Sequence, residues 1–236
     1  MFSQVPLGVL PAGSASTLSS TKRLTFSPER LPDAFPSYYA SLAGSHDPAE
    51  HLVGKHTEHI NARGGQTATP LVAALHGKHF KIAELLHRSG ADVDVRDSVE
   101  DTPLREACMA GVLDTVQWLL NHGADASALG CRNRPPLVTA AHKGYLEEVQ
   151  TLIEHNADIH IRNHTEMTPF AAGLRDHVIM QILLDHGANP NARDYNDSTP
   201  LHHVSSSRGG TVEGARLLLR YGAITDAEDN KGTTPL

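Results

Sequence analysis

The chain has 236 residues, 39% hydrophobic and 5% aromatic, with 20 Lys+Arg against 27 Asp+Glu for a formal net charge of −7. That balance argues against a nucleic-acid binder, which carries a basic face, and no apolar run reaches the ~18 residues of a bilayer span. Two cysteines make no disulfide framework and point to an intracellular compartment, cytoplasm or nucleus, while 16 histidines make metal chemistry the first possibility to test.

Residues 1–35 are rich in Ser, Thr, Pro and Gly without a sustained period, which predicts a disordered arm. Prolines interrupt its short apolar stretch and no basic segment precedes it, so it is not read as a secretory signal. From Pro70 onward two markers repeat in one register. Pro70, Pro103, Pro136, Pro169, Pro200 and Pro235 are spaced by 33, 33, 33, 31 and 35 residues. Gly90, Gly123, Asn156, Gly187 and Gly222 follow at 33, 33, 31 and 35, with the same two deviations. The markers define units 69–101, 102–134, 135–167, 168–198 and 199–233, with 234–236 starting another. Residues 36–68 fit the template loosely, Ile60-Asn61-Ala62-Arg63 standing where Val93-Asp94-Val95-Arg96 stands in the next unit, and read as a degenerate capping unit.

Within a unit the physics is legible. Thr before Pro suits an N-cap followed by proline at the first helical position, where a missing N–H costs nothing. A second helix ends at the Gly, which accepts the left-handed conformation. Counting back from that Gly gives apolar columns, among them Ala83/Val116/Val149/Met180/Ala215 and Leu86/Leu119/Leu152/Leu183/Leu218, that stripe each second helix. After it, a segment such as VDVRDSVED alternates and turns, as an extended finger or hairpin does. The predicted fold is all-α: a solenoid of stacked helix-turn-helix units joined by finger loops. The unit at 168–198 is two residues short between Pro169 and Gly187, which predicts an abbreviated first helix or turn; the next carries two extra residues, placed near Ser205–Gly210.

Period and Thr-Pro-Leu pattern together resemble the ankyrin-repeat family across 36–236. Departures are visible. The family's His after Thr-Pro-Leu survives only as His202, and the finger's usual Gly only as Gly232, with Thr67, Glu100, Asn133, Glu166 and Asp197 in the other slots. Thr and Glu tolerate the left-handed region poorly, which predicts distorted or mobile fingers there. The segments PSYYASLAG and PLVAALHGKHFKIAELLHRSGADVDVRD are also similar to arrays attached to large fungal nucleotide-binding signalling proteins.

No phosphate loop, dinucleotide fingerprint, nucleophile elbow or H-E-x-x-H occurs, so no catalytic residue and no cofactor is assigned. Cys108 takes a small-residue slot and Cys131 falls in a finger without a matching His–acid pair. His122, His155 and His186 share the slot before the helix-ending residue, where imidazole complements the helix dipole. Successive units stack ~8–10 Å apart, too far for equivalent atoms to share a metal, so no metal site is assigned; His51, His56, His59, His202 and His203 stay unplaced. Trp118 reads as partly buried between units, with a partner hot spot as the alternative.

The resemblance implies recognition through a concave face of finger tips and first helices. Carried over by register, the contact positions are Val99, Asp101, Met109, Arg132, Arg134, His142, Lys143, His164, Met167, Tyr195 and Asn196. Arg132, Arg134, His142 and Lys143 would form a basic strip on an acidic chain. The expected function is a non-catalytic, monomeric scaffold binding a protein partner, with no nucleic acid and no membrane. The alternative is a sensor or substrate-receptor fragment of a larger NTPase, kinase or ubiquitin ligase, an expectation that rests on the sequence stopping at Leu236, where another first helix should begin.

Overall fold

The computed structural model describes residues 69–97, 99–206 and 212–235, with 44, 47, 50, 51 and 60–62 upstream. The arm expected over 1–35 and most of the capping unit lie outside the described residues. Ten α-helices run in pairs through the five units: α1 (Pro70–His76) and α2 (Phe80–Arg88), α3 (Pro103–Ala110) and α4 (Leu113–Asn121), α5 (Pro136–Lys143) and α6 (Leu146–Glu154), α7 (Pro169–Ala172) and α8 (His177–Asp185), α9 (Pro200–Ser206) and α10 (Val212–Arg220). First helices pack on first helices and second on second, giving two layers.

Each first helix starts as its sequence dictates. The side chains of Thr69, Thr102 and Thr168 accept from the Val72, Arg105 and Ala171 amides, with Pro next in line. Thr199 differs: its amide and hydroxyl lie 3.0 and 2.9 Å from His202 Nδ1, and His202 Nε2 is 3.0 Å from the Thr233 carbonyl. Only a ring protonated on Nε2 satisfies all three, so the one retained family histidine donates to the following finger.

The predicted stripes form the core. Leu86, Leu119, Leu152, Leu183 and Leu218 are fully buried, as are Ala83, Val116, Val149 and Met180, stacked one per unit. Each Leu removed from water contributes about 1.5–3 kcal/mol.

Fingers bridge Asp97 N–H to Asp101 O, and likewise Gly130 to Arg134, Asn163 to Met167, Asp194 to Ser198 and Asp229 to Thr233, at 2.9–3.1 Å. No strand forms among the described residues beyond the isolated bridge Gly130–Arg134. The left-handed slot is occupied at Glu100, Asn133, Glu166, Asp197 and Gly232. The distortion expected at the glutamates is absent. Asp97 Oδ1 accepts from the Val99 and Asp101 amides at 2.9 and 2.8 Å, and Asn163 Oδ1 from Thr165 and Met167 at 2.9 and 3.0 Å, which clamps the turn. Thr67 lies outside the described residues. Departure occurs instead where Gly130 replaces that Asx residue: Cys131–Asn133 forms a 3₁₀ turn with Arg132 also left-handed.

The short unit behaves as its spacing predicts. Helix α7 has four residues against seven or eight in the other first helices. The chain then turns at buried Gly173, where a Cβ would fall 2.7 Å from Ile179 Cγ2. Asp176 caps α8, its Oδ1 accepting from the Val178 and Ile179 amides at 2.9 and 3.2 Å, whereas α2, α4 and α6 lack a side-chain cap.

Candidate functional site

Grooves among the described residues border the first helices, and a pair of them bears on recognition. The first, of about 270 Å³, runs between α1 and α3 over Val72, Leu75 and Ala107. Ion pairs span it: His76 Nε2 to Glu106 Oε1 at 3.3 Å, which raises the His76 pKa, and Lys78 Nζ to Asp114 Oδ2 at 3.5 Å. Its charges are mutually satisfied.

The second, of about 310 Å³, spans the units beginning at Pro136, Pro169 and Pro200. Met167, Ala171, Ala172, Leu174 and Val204 give it an apolar lining; His142, Arg175, Asp194, Tyr195 and His203 supply the polar part. It lies beside α7, whose missing turn leaves the space a longer helix would fill. Tyr195 is 74% exposed at the finger tip. Asp194, the carboxylate lining the groove, holds three groups: Oδ1 accepts from the Asn196 and Ser198 amides at 2.8 and 3.0 Å, and Oδ2 lies 2.8 Å from His203 Nε2. Arg175 and His142 are exposed, and no carboxylate among the described residues pairs with either.

Of the residues expected from register, the groove gathers His142, Met167 and Tyr195. Lys143 adjoins His142 at the end of α5, and both are exposed; His164 is exposed and Asn196 half-buried at neighbouring finger tips. Val99 is 56% exposed, Arg132 exposed, and Arg134 and Met109 half-buried. Asp101 is a correction. It was expected on the surface but is 6% exposed, its carboxylate gripping the Arg105 guanidinium through two hydrogen bonds and accepting from the Cys131 amide at 3.3 Å. It presents no carboxylate to a partner. Arg105, standing where the family has His, does the same linking work as His202 by a different route. Burial pulls its pKa down. Arg175 and His203 escaped the register reading. The count that reached Met109 and His142, six residues past the proline, reaches Arg175 from Pro169; the two-residue deletion hid it.

The histidine slot at the second-helix ends is structural. Nδ1 of His122, His155 and His186 lies 2.7, 2.8 and 2.8 Å from the carbonyl four residues back. His122 also sets Nε2 2.7 Å from Glu84 Oε2, which lowers the Glu84 pKa, and stacks on half-buried Trp118 with ring centres 3.9 Å apart. Among the described residues no three His, Cys, Asp or Glu side chains converge as a metal site. His51 is exposed, His203 pairs with Asp194, and His56 and His59 lie outside the described residues. Cys108 is buried, which with the nearby Glu148 charge raises its thiol pKa.

Family models for ankyrin repeats match residues 37–130, 71–163 and 170–219. Two Arabidopsis thaliana proteins, the ADP-ribosylation factor GTPase-activating proteins AGD4 and AGD2, are 44% identical over 66 residues and 43% over 61. These stretches are 28% and 26% of this chain and 8% of each relative. The ankyrin repeat domain of Bcl-3, described as a member of the IkappaB family, aligns with a TM-score of 0.79 at 26% identity over 87% of this chain and 93% of that one. The human ASB11 ankyrin repeat domain aligns with a TM-score of 0.67 at 25% identity over 85% and 89%.

Proposed function

The chain belongs to the ankyrin-repeat family, and from that premise we propose that it is a non-catalytic recognition module whose partner protein seats on the face of fingers and first helices, centred on the groove beside α7. The observation that carries this reading is the pairing of an apolar lining with exposed Tyr195 and uncommitted Arg175 in one depression. Large exposed aromatics and arginines are the usual anchors of protein interfaces. The basic strip of Arg132, Arg134, His142 and Lys143 extends the same surface. The reading includes an array spanning 36–236, with a capping unit at 36–68 that the match from residue 37 supports, and a monomer acting in cytoplasm or nucleus.

The short coverage of the two plant relatives favours a second reading for the whole protein. This stretch would be the recognition segment of a larger signalling protein, since the matched part makes up 8% of each of theirs.

The test is quantitative affinity capture with three versions of the chain: parent, Tyr195→Ala combined with Arg132→Glu and Arg134→Glu, and Gln150→Lys on the opposite helix layer. Proteins captured by the parent and by Gln150→Lys but lost from the triple variant support the reading. Equal capture by all three overturns it. Far-UV circular dichroism confirms that the variants keep their helices.

A further inference from the structure

The groove beside α7 has an electrostatic demand that the chain itself does not meet. On a molecule with a formal net charge of −7, the groove's walls carry an exposed guanidinium, Arg175, and an exposed imidazole, His142, with no internal carboxylate against them. Asp194 pairs with neither: its carboxylate holds the Asn196 and Ser198 amides and His203. The groove between α1 and α3 provides the contrast: each of its basic side chains is matched by a carboxylate of the next unit. The same groove carries an apolar patch of Met167, Ala171, Leu174 and Val204. At about 310 Å³ it sits at the lower end of the ~300–1,000 Å³ of small-ligand pockets, a size for a side chain or two.

Resting on the function proposed above, we infer that this groove docks an acidic segment of a partner protein, which places an apolar side chain on the Met167–Leu174–Val204 lining and a carboxylate against Arg175. Guanidinium and carboxylate match as a two-pronged pair. A partner carboxylate therefore gains hydrogen bonds at Arg175 without displacing any existing ion pair. A basic segment would meet the Arg175 guanidinium as a like charge.

The experiment is selection of a random dodecapeptide phage library on the full chain, followed by fluorescence-anisotropy titration of the enriched peptides against variants. Enriched sequences should carry Asp or Glu within three residues of Leu, Ile, Met or Phe. Their Kd should rise at least tenfold with Arg175→Glu and with Val204→Asp, and by a smaller factor with Arg175→Lys, which keeps the charge but loses the two-pronged geometry. Raising the salt should weaken them further. Enriched peptides that are basic or uncharged, or that bind Arg175→Glu within twofold of the parent, overturn the inference. If such peptides still depend on Tyr195, the broader reading of the surface survives; if they ignore both Tyr195 and Arg175, it falls too. Failure to enrich any peptide also counts against the inference. Melting curves of Arg175→Glu and Val204→Asp separate lost binding from lost structure, and exposed Arg175 carries the decisive test should Val204→Asp unfold.

Discussion

Replacing Gly130 with alanine is a sharp test of how the units are coupled. Its backbone, at φ −89° and ψ −161°, is ordinary extended geometry open to any residue. On backbone grounds alone, alanine should stabilise by about 0.4–1 kcal/mol, by restricting the unfolded chain. The reason for glycine is space. A methyl would sit 2.5 Å from Arg105 Cδ, 2.9 Å from Arg105 Nε and closer still to Asp101 Oδ1. These atoms cannot swing aside freely, because they form a two-pronged ion pair whose side chains are 10% and 8% exposed. Overpacking of this kind costs about 1–3 kcal/mol, and full separation of a buried pair about 3–5 kcal/mol. We expect a net loss of ~2 kcal/mol, or a fall in Tm of about 4–8 °C for an array of this length. The decisive comparison uses Asp101→Ser with Arg105→His, which copies Ser198, just before the unit at 199–233, and His202, at its start. There the same Gly130→Ala change should be neutral or stabilising, giving a coupling of about 2 kcal/mol. Urea unfolding followed by circular dichroism and by Trp118 fluorescence measures both, Trp118 lying in the same unit as Arg105 and Gly130. An equal effect in the two backgrounds refutes the reasoning.

Other outcomes follow from single side chains. Glu100 is left-handed at φ 64°, a conformation that costs a non-glycine residue about 1–2 kcal/mol against 0.5–1 for glycine's extra chain entropy, so Glu100→Gly should raise the unfolding free energy by ~0.5 kcal/mol, read as a higher urea midpoint; a lower midpoint contradicts it. The pair His76–Glu106 raises the His76 pKa above 6.5, so its contribution is whole below that pH and fades as pH climbs through the raised value. Exposure of 53% and 42% keeps that contribution well under about 1 kcal/mol, and Glu106→Gln should flatten the stability difference between pH 5.5 and 8.5, an unchanged slope excluding the pair as its source. Of the two cysteines, half-buried Cys131 should react with a thiol reagent in the native chain, and Cys108, with its raised pKa, only on unfolding; two fast thiols would show that the core around Cys108 opens.

What the sequence disclosed depended on whether the information was periodic. The Thr-Pro starts and the Leu86–Leu218 column recur in one register, so helix order and core could be read by counting. Asp101 could not. Its burial depends on Arg105, four residues on, and on Gly130 in the next unit, a one-time substitution for the family's histidine that leaves no period. His87 is a further case: it stands in a column where later units have Leu120, Ile153 and Leu184, and it packs edge-on against Trp118 and His122 at 6.0 and 5.0 Å. Counting identifies the odd residue but not the ring it meets in the neighbouring unit. Trp118 is half-buried and stacks on His122.

The groove beside α7 shows how one irregularity draws in others. Deleting two residues between Pro169 and Gly187 removes a turn of the first helix, and the chain must then enter α8 sooner. The shortened path brings the backbone against Ile179, where only glycine fits, and Gly173 is there. It also leaves the start of α8 to be capped, and Asp176 supplies two hydrogen bonds that the other second helices described with their caps do without. Gly173 and Asp176 therefore support the deletion, each compensating a distinct cost of it. Arg175, between Gly173 and Asp176 on that turn, lines the groove together with Met167, Ala171 and Val204.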